Sequence, residues 1–271
     1  MLSSRLYSME APVAVREPAP AAGAAQVGLV IGAAGVLGTA AVGVAERLAR
    51  EGIRPVLYAG SGAGALFAAA LALDLPKTLL RELGSALWPA GRPAAAGRGG
   101  HDPVRTLAGW LGDVRIEQLP TALRIATTDA ATGQGLVLAR GNLAAALGTS
   151  LQGAGAKGVR KLVTGPIADP LPLSAAGGLP VLIALSLQES APQGLPGSSV
   201  ALLASLVQAR IDAARARGQR VVHIDVDLGR RTGSWDAQAM PWLFEAGWRA
   251  AESRLLDVLA VVEDARLRVA A

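Results

Sequence analysis

The chain contains no cysteine, which excludes a disulfide framework, a thiolate-ligated zinc site and a cysteine nucleophile. Histidine occurs only at His101 and His223, too few for a histidine-based metal centre of the usual kind. Any Ser-His-Asp triad would have to recruit one of those two. Lysine is confined to Lys77, Lys157 and Lys161, so the net charge of +5 rests on arginine. The arginines are dispersed, apart from Arg210, Arg215, Arg217 and Arg220. That group reads as a solvated helix face, and no specific nucleic-acid partner is expected. Long apolar runs are missing as well. The most apolar stretch, Ala63 to Leu73, is interrupted at once by Asp74 and Pro76, too soon to span a bilayer. Residues 1–25 carry Arg5, Glu10, Arg16 and Glu17 and lack the apolar centre of a signal peptide. Their alanine and proline content suggests a flexible lead-in, and the expected location is the cytoplasm.

What remains is a chain of 271 residues, 51% hydrophobic, with 33 glycines and 16 prolines. One domain over 26–271 is long enough to bury a sizeable core. Val27 to Ile31 is a continuous apolar run, as in a strand buried on both faces of a parallel sheet. A glycine-rich turn, Gly32 to Gly38, leads into a helix to Glu51 that Gly52 closes. Pro55 to Ala59 is a second short strand, running through Gly60-Ser61-Gly62-Ala63-Gly64 into an apolar helix. Two strand–turn–helix units in succession predict an α/β fold with right-handed crossovers. Further strands are expected at Leu123 to Thr127, with Gly135 to Leu138 as hairpin partner, at Leu162-Val163, at Val181 to Leu185 and at Val221 to Val226. Helices are expected from Leu143, over Val200 to Arg217, and as one long amphipathic helix at about 237–266. Trp242, Leu243 and Trp248 in that last region suggest an apolar stripe that packs on the core or touches a membrane periphery.

The first turn, taken alone, matches the GxxGxxG of extended short-chain dehydrogenases, whose amides hold a dinucleotide pyrophosphate. The Tyr-xxx-Lys pair of that family is absent, because neither Tyr7 nor Tyr58 has a lysine four residues on. A nucleotide-binding module therefore stays as an alternative. The order of segments from Val27 to about Leu187 carries a second resemblance. It rests on Ala33-Ala34-Gly35-Val36-Leu37-Gly38, on Val42-Gly43-Val44 and Glu51-Gly52-Ile53, and on Ala59-Gly60-Ser61-Gly62-Ala63-Gly64-Ala65-Leu66. Thr128-Asp129-Ala130-Ala131-Thr132-Gly133 and Thr164-Gly165-Pro166-Ile167-Ala168-Asp169-Pro170 follow in the same order. In this the chain resembles the patatin-like phospholipase family.

The resemblance implies a three-layer α/β/α domain with a mainly parallel central sheet. It also implies lipid acyl hydrolysis by a Ser–Asp dyad, and here the residues depart from the pattern. The nucleophile position falls on Gly62 and the aspartate position on Thr164. The oxyanion-loop arginine falls on Leu37, and two of its glycines on Ala33 and Ala34. Glycine cannot form an acyl-enzyme, and a threonine hydroxyl is no general base near neutral pH. The expectation is a catalytically silent scaffold without cofactor or metal. It would bind a fatty-acyl or phospholipid ligand, or a protein partner or second copy, around Gly32, Ala33, Ala34, Gly35, Leu37 and Ala63. A lipid acyl hydrolase with a displaced nucleophile is the competing expectation, with Ser61 as the fallback. Ser150 reads as a helix-end hydrogen-bonding residue, and Asp129 and Asp169 as turn formers. His223 reads as a core or edge residue, and Asp225 and Asp227 as one solvated face.

Overall fold

The computed structural model describes residues 25–32, 35–87, 103–151, 162–188, 197–227 and 237–270. The proposed lead-in, His101 and the pair Ala33-Ala34 lie outside the described residues. Strand β1 (Val27–Ile31) is buried along its whole length, as its unbroken apolar run requires at the centre of a sheet. Helix α1 (Thr39–Arg50) follows, with Gly52 at φ +73 accepting the left-handed turn that ends it. Strand β2 (Leu57–Ser61) begins two residues later than the apolar pattern suggests and leads directly into α2 (Ala63–Ala72). After α3 (Lys77–Leu87) and α4 (Pro103–Leu111) come the hairpin of β3 (Ala122–Asp129) and β4 (Gly135–Leu138) and helix α5 (Leu143–Leu151). The short β5 (Leu162–Thr164), then β6 (Val181–Gln188), α6 (Gly197–Ala216) and β7 (Arg220–Asp227) complete the sheet.

The strand order is β4-β3-β2-β1-β6-β7, with β5 pairing β3. All pairings among β3, β2, β1, β6 and β7 are parallel, and only β4 and β5 run antiparallel to β3. Right-handed crossovers now decide which face each helix covers. The chain steps from β1 to β2 in one direction and from β6 to β7 in the other, so α1 and α6 fall on opposite faces. Leu29, Ile31, Ile183, Leu185, Val222 and Ile224 accordingly form one core with α1, α2, α5 and the C-terminal helices. Val30, Leu57, Ala59, Leu182 and Ala184 form a thinner core with Ile211 and Ala214 of α6 and the helical turn Leu173–Ala176. The result is the expected three-layer α/β/α arrangement, with one helical layer much thicker than the other. Between β1 and β6 the connections diverge, the position at which open α/β sheets hold ligands.

The long C-terminal helix is two helices. Helix α7 (Met240–Ser253) ends at Arg254, whose φ −111 and ψ 8 leave the helical region, and α8 (Leu255–Ala270) sets off again. The Trp242-Leu243-Trp248 stripe divides accordingly: Leu243 is fully buried, Trp242 is exposed, and Trp248 lies under the guanidinium groups of Arg47 and Arg50. Helix α7 crosses α1 at glycines. A Cβ on Gly43 would overlap the Phe244 carbonyl, and one on Gly247 would overlap the Ala40 carbonyl. The two backbones are therefore in direct contact. No described helix is long and apolar enough to cross a membrane.

Candidate functional site

Strand β2 ends at Ser61, and the chain turns through Gly62 into α2. Gly62 has φ 58 and ψ −132, a combination open to glycine and strained for any side chain. The turn is held from outside. Ser150 of α5, fully buried, donates its hydroxyl to the Gly62 carbonyl at 3.2 Å and approaches the Ala126 carbonyl at 3.4 Å. The Ala65 amide also donates to the Gly62 carbonyl, at 3.1 Å. Ala63 opens α2 as a buried residue, so the positive end of a ten-residue helix lies at the turn.

Strand β5 brings the second half of the site to the same place. Ser61 is the last residue of β2 to pair with β3, opposite Ala126; the next position, Thr127, pairs with Thr164 of β5 instead. The strand thus continues the sheet past the end of β2 and delivers Thr164 beside the turn. The Thr128 hydroxyl donates to the Thr164 carbonyl at 3.0 Å and accepts the Ala168 amide at 3.2 Å, fixing the loop that follows. Gly165 passes so close that a Cβ there would come within 2.6 Å of the Ser61 hydroxyl.

Ser61 is fully buried, and its hydroxyl donates to the Asp169 carbonyl at 2.9 Å. The hydroxyl therefore faces the β5 loop. Asp169 is clamped in turn: Ser174 donates to its carboxylate at 3.3 Å, and the Arg210 guanidinium stands 3.3 Å away while donating to the Ala168 carbonyl at 2.9 Å. Burial pushes the Asp169 carboxyl above the usual range, and Arg210 works against that shift. Asp129 forms a local turn, its carboxylate accepting the Ala131 and Thr132 amides at 2.8 and 3.3 Å. On the opening loop, the Gly32 amide donates to the Leu185 carbonyl at 3.0 Å. Gly35 begins a 3-10 turn that carries Leu37, 2% exposed, into the core.

A family model described as patatin-like phospholipase matches residues 29–137, the span that holds the opening loop, the turn at Gly62 and β3. Over that span the chain is similar to the patatin-like phospholipase family. The chain is also 32% identical over 202 residues to uncharacterized NTE family proteins of Mycobacterium bovis and Mycobacterium tuberculosis. The alignment covers 65% of this chain and 55% of those relatives, so the chain spans little more than half of their length. Among solved structures, VipD of Legionella pneumophila shares the fold with a TM-score of 0.50 at 12% identity. That match covers 88% of this chain and 67% of VipD.

A second polar constellation, invisible to motif reading, lies on the other side of the patatin-like sheet's centre. Pairing of β6 with β7 sets Ser186 opposite Asp225 and Ala184 opposite His223. The Ser186 hydroxyl donates to Asp225 Oδ1 at 2.7 Å, and His223 Nε2 is 2.7 Å from the same hydroxyl. Serine has one proton to give, so His223 Nε2 is the donor in that contact. A cavity of about 380 Å³ opens here, lined by His223, Asp225, Gln208, Arg215, Ser253 and Arg254, with Ile211. Asp225 is exposed, in keeping with a solvated face, but it is tied to the strand beside it. Only the register of β6 against β7 could have joined Ser186 to His223.

Burial holds the His223 imidazole below its ordinary pKa, with Arg254 and Arg215 adding repulsion and Asp225 opposing. The folded state thus favours the neutral ring. This contribution is complete above the unfolded histidine value of about 6.5 and is lost as pH falls through it toward the lower folded value. Urea unfolding across that range is expected to show stability declining with acid, with His223→Gln removing part of the slope. An identical slope in the variant would mean that other groups set it.

Proposed function

We propose that this patatin-like chain is a disabled acyl hydrolase that holds a lipid acyl group without cleaving it. The observation that carries the reading is the turn itself. Gly62 keeps φ 58 and ψ −132 at the end of β2, with Thr164 brought beside it by β5. The positions of nucleophile and base are therefore adjacent in space and chemically empty. An ester carbonyl placed there meets no group able to attack it or to take a proton. The positive end of α2 still favours a carboxylate or phosphate, and the buried Ala65, Leu66 and Phe67 of the helix follow it. Ser61 does not supply a replacement in this reading, because its hydroxyl is buried and committed to the Asp169 carbonyl.

Two measurements on the purified chain test the proposal together. A fluorophosphonate probe, read by intact mass and peptide mapping, is expected to leave the protein unlabelled while a working patatin enzyme is labelled. Titration with a soluble fatty acid is expected to raise the thermal midpoint by linkage, by about RT ln(1 + [L]/Kd) in free energy. An adduct on Ser61 or Ser150 would replace this reading with a rebuilt active site. No thermal response to fatty acids or lysophospholipids would remove the acyl ligand.

A further inference from the structure

Helix α6 has two unlike halves. Its C-terminal half buries Ile211 and Ala214 against the sheet, and Arg210 is fastened to Ala168 and Asp169. The residues from 201 to 206 touch little. Every residue from Ala201 to Leu206 is exposed, among them Leu202 at 61%, Leu203 at 45% and Leu206 at 40%. Successive helical residues point about 100° apart, so six exposed residues in a row leave no buried face, and the first contact with the core is the partly buried Val207. No charged residue occurs from Gly197 to Ala209. The polar Ser205 has its hydroxyl donated to the Ala201 carbonyl of its own helix at 2.9 Å. A surface helix normally carries one apolar stripe, whereas a helix apolar on every side belongs in apolar surroundings.

Topology places this half at the edge of the sheet that carries the Gly62 turn. Helix α6 joins the parallel neighbours β6 and β7, so it runs antiparallel to both. Its start therefore lies toward the carboxyl ends of the strands, the edge that carries Gly62 and Thr164. Arg210 marks the level of the loop after Thr164, and the leucines continue beyond it. Arg210, Arg215 and Arg217 outnumber Asp212 just behind them.

We propose that the N-terminal half of α6 is a lipid-immersed anchor that seats this chain on an anionic bilayer surface with the Gly62 edge of the sheet toward the membrane. A protein partner or second copy laid against the helix would cover one side of it, whereas acyl chains cover all sides. The exposed residues 201–206 reach about 9 Å, well short of the roughly 30 Å hydrocarbon core, so the helix dips into one leaflet. Arg210, next behind the apolar segment and 42% exposed beside its Asp169 partner, then faces the headgroups. The inference does not depend on whether the Gly62 turn holds an acyl group, since it concerns the outside of α6.

Flotation of the full chain with vesicles of phosphatidylcholine and phosphatidylglycerol tests it, beside vesicles of phosphatidylcholine alone. The triple variant L202Q/L203Q/L206Q changes only exposed side chains and keeps good helix formers, so it remains folded, as circular dichroism and thermal unfolding check. Wild type is expected to float with the mixed vesicles, and the triple variant to partition on the order of a hundredfold more weakly. Failure of wild type to float, or equal flotation of the triple variant, would overturn the anchor. Equal flotation of wild type on both vesicle types would overturn the anionic preference. A dimer in sedimentation velocity that the triple variant dissolves, without vesicle binding, would assign the leucines to a second copy.

Discussion

The double substitution Gly62→Ser with Thr164→Asp is expected to give ester cleavage at least about a hundredfold above the parent chain, the scale on which a positioned base and nucleophile act. Each single substitution is expected to do far less. A serine at the turn has no base beside Thr164, and an aspartate at 164 has no nucleophile to deprotonate, so the two effects are strongly non-additive. The geometry favours the experiment. Thr164 reaches the turn through a strand pairing, Thr127 with Thr164, which immediately follows the pairing of Ala126 with Ser61. The side chain at 164 is therefore placed by the sheet and not by a loose loop. The turn is braced by the Ser150 and Ala65 bonds to the Gly62 carbonyl. A cost accompanies the gain: φ 58 with ψ −132 strains any side chain. About 1–3 kcal/mol of stability should be lost, and the thermal midpoint should fall by roughly 2–4 °C for each of them. Hydrolysis of a nitrophenyl ester and labelling by fluorophosphonate are the readouts. A folded double variant with neither activity nor label would show that the scaffold has lost more than its dyad.

Much of this architecture was legible in the residues because it follows from local rules. The unbroken apolar run at Val27–Ile31 could only be a central strand, and the glycines at 60, 62 and 64 marked a tight strand-to-helix turn. The identity of the residues at 62 and 164 was legible too, once the order of segments aligned them. What stayed hidden depends on pairings between distant segments. Ser186 lies inside an apolar strand with nothing to distinguish it, and it meets His223 and Asp225 only through the β6–β7 register. The clamp of Arg210 on Asp169 needs the crossover of α6 onto the sheet's second face. The break at Arg254 was missed because hydrophobic periodicity runs on through it: Val258, Val262 and Ala265 of α8 are buried just as Leu243, Gly247 and Ala251 of α7 are. Periodicity reports which face is covered, and it carries no direct mark of where an axis bends.

A marked stability loss from a single methyl group is expected at the crossing of α1 and α7. Gly247→Ala sets two effects against each other. Alanine in a helix interior gains about 0.5–1 kcal/mol over glycine from propensity. Its methyl group, however, overlaps the Ala40 carbonyl, and the neighbouring atoms are backbone of α1 rather than the end of a flexible side chain. Relief requires one helix to move away from the other, and α1 is held between β1 and β2 while Leu243 and Ala251 hold α7 in the core. Overpacking of this kind costs about 1–3 kcal/mol or more, so the overlap outweighs propensity and the net change is destabilising by about 1–2 kcal/mol. Gly109→Ala in α4 isolates the propensity effect, because nothing lies within 4 Å of a Cβ there. That variant is expected to gain about 0.5–1 kcal/mol. Urea unfolding of both variants beside the parent reads the difference directly. Equal gains at 247 and 109 would mean that α1 and α7 can part freely, and that their backbone contact does not fix where the opening loop at Gly35–Gly38 enters α1.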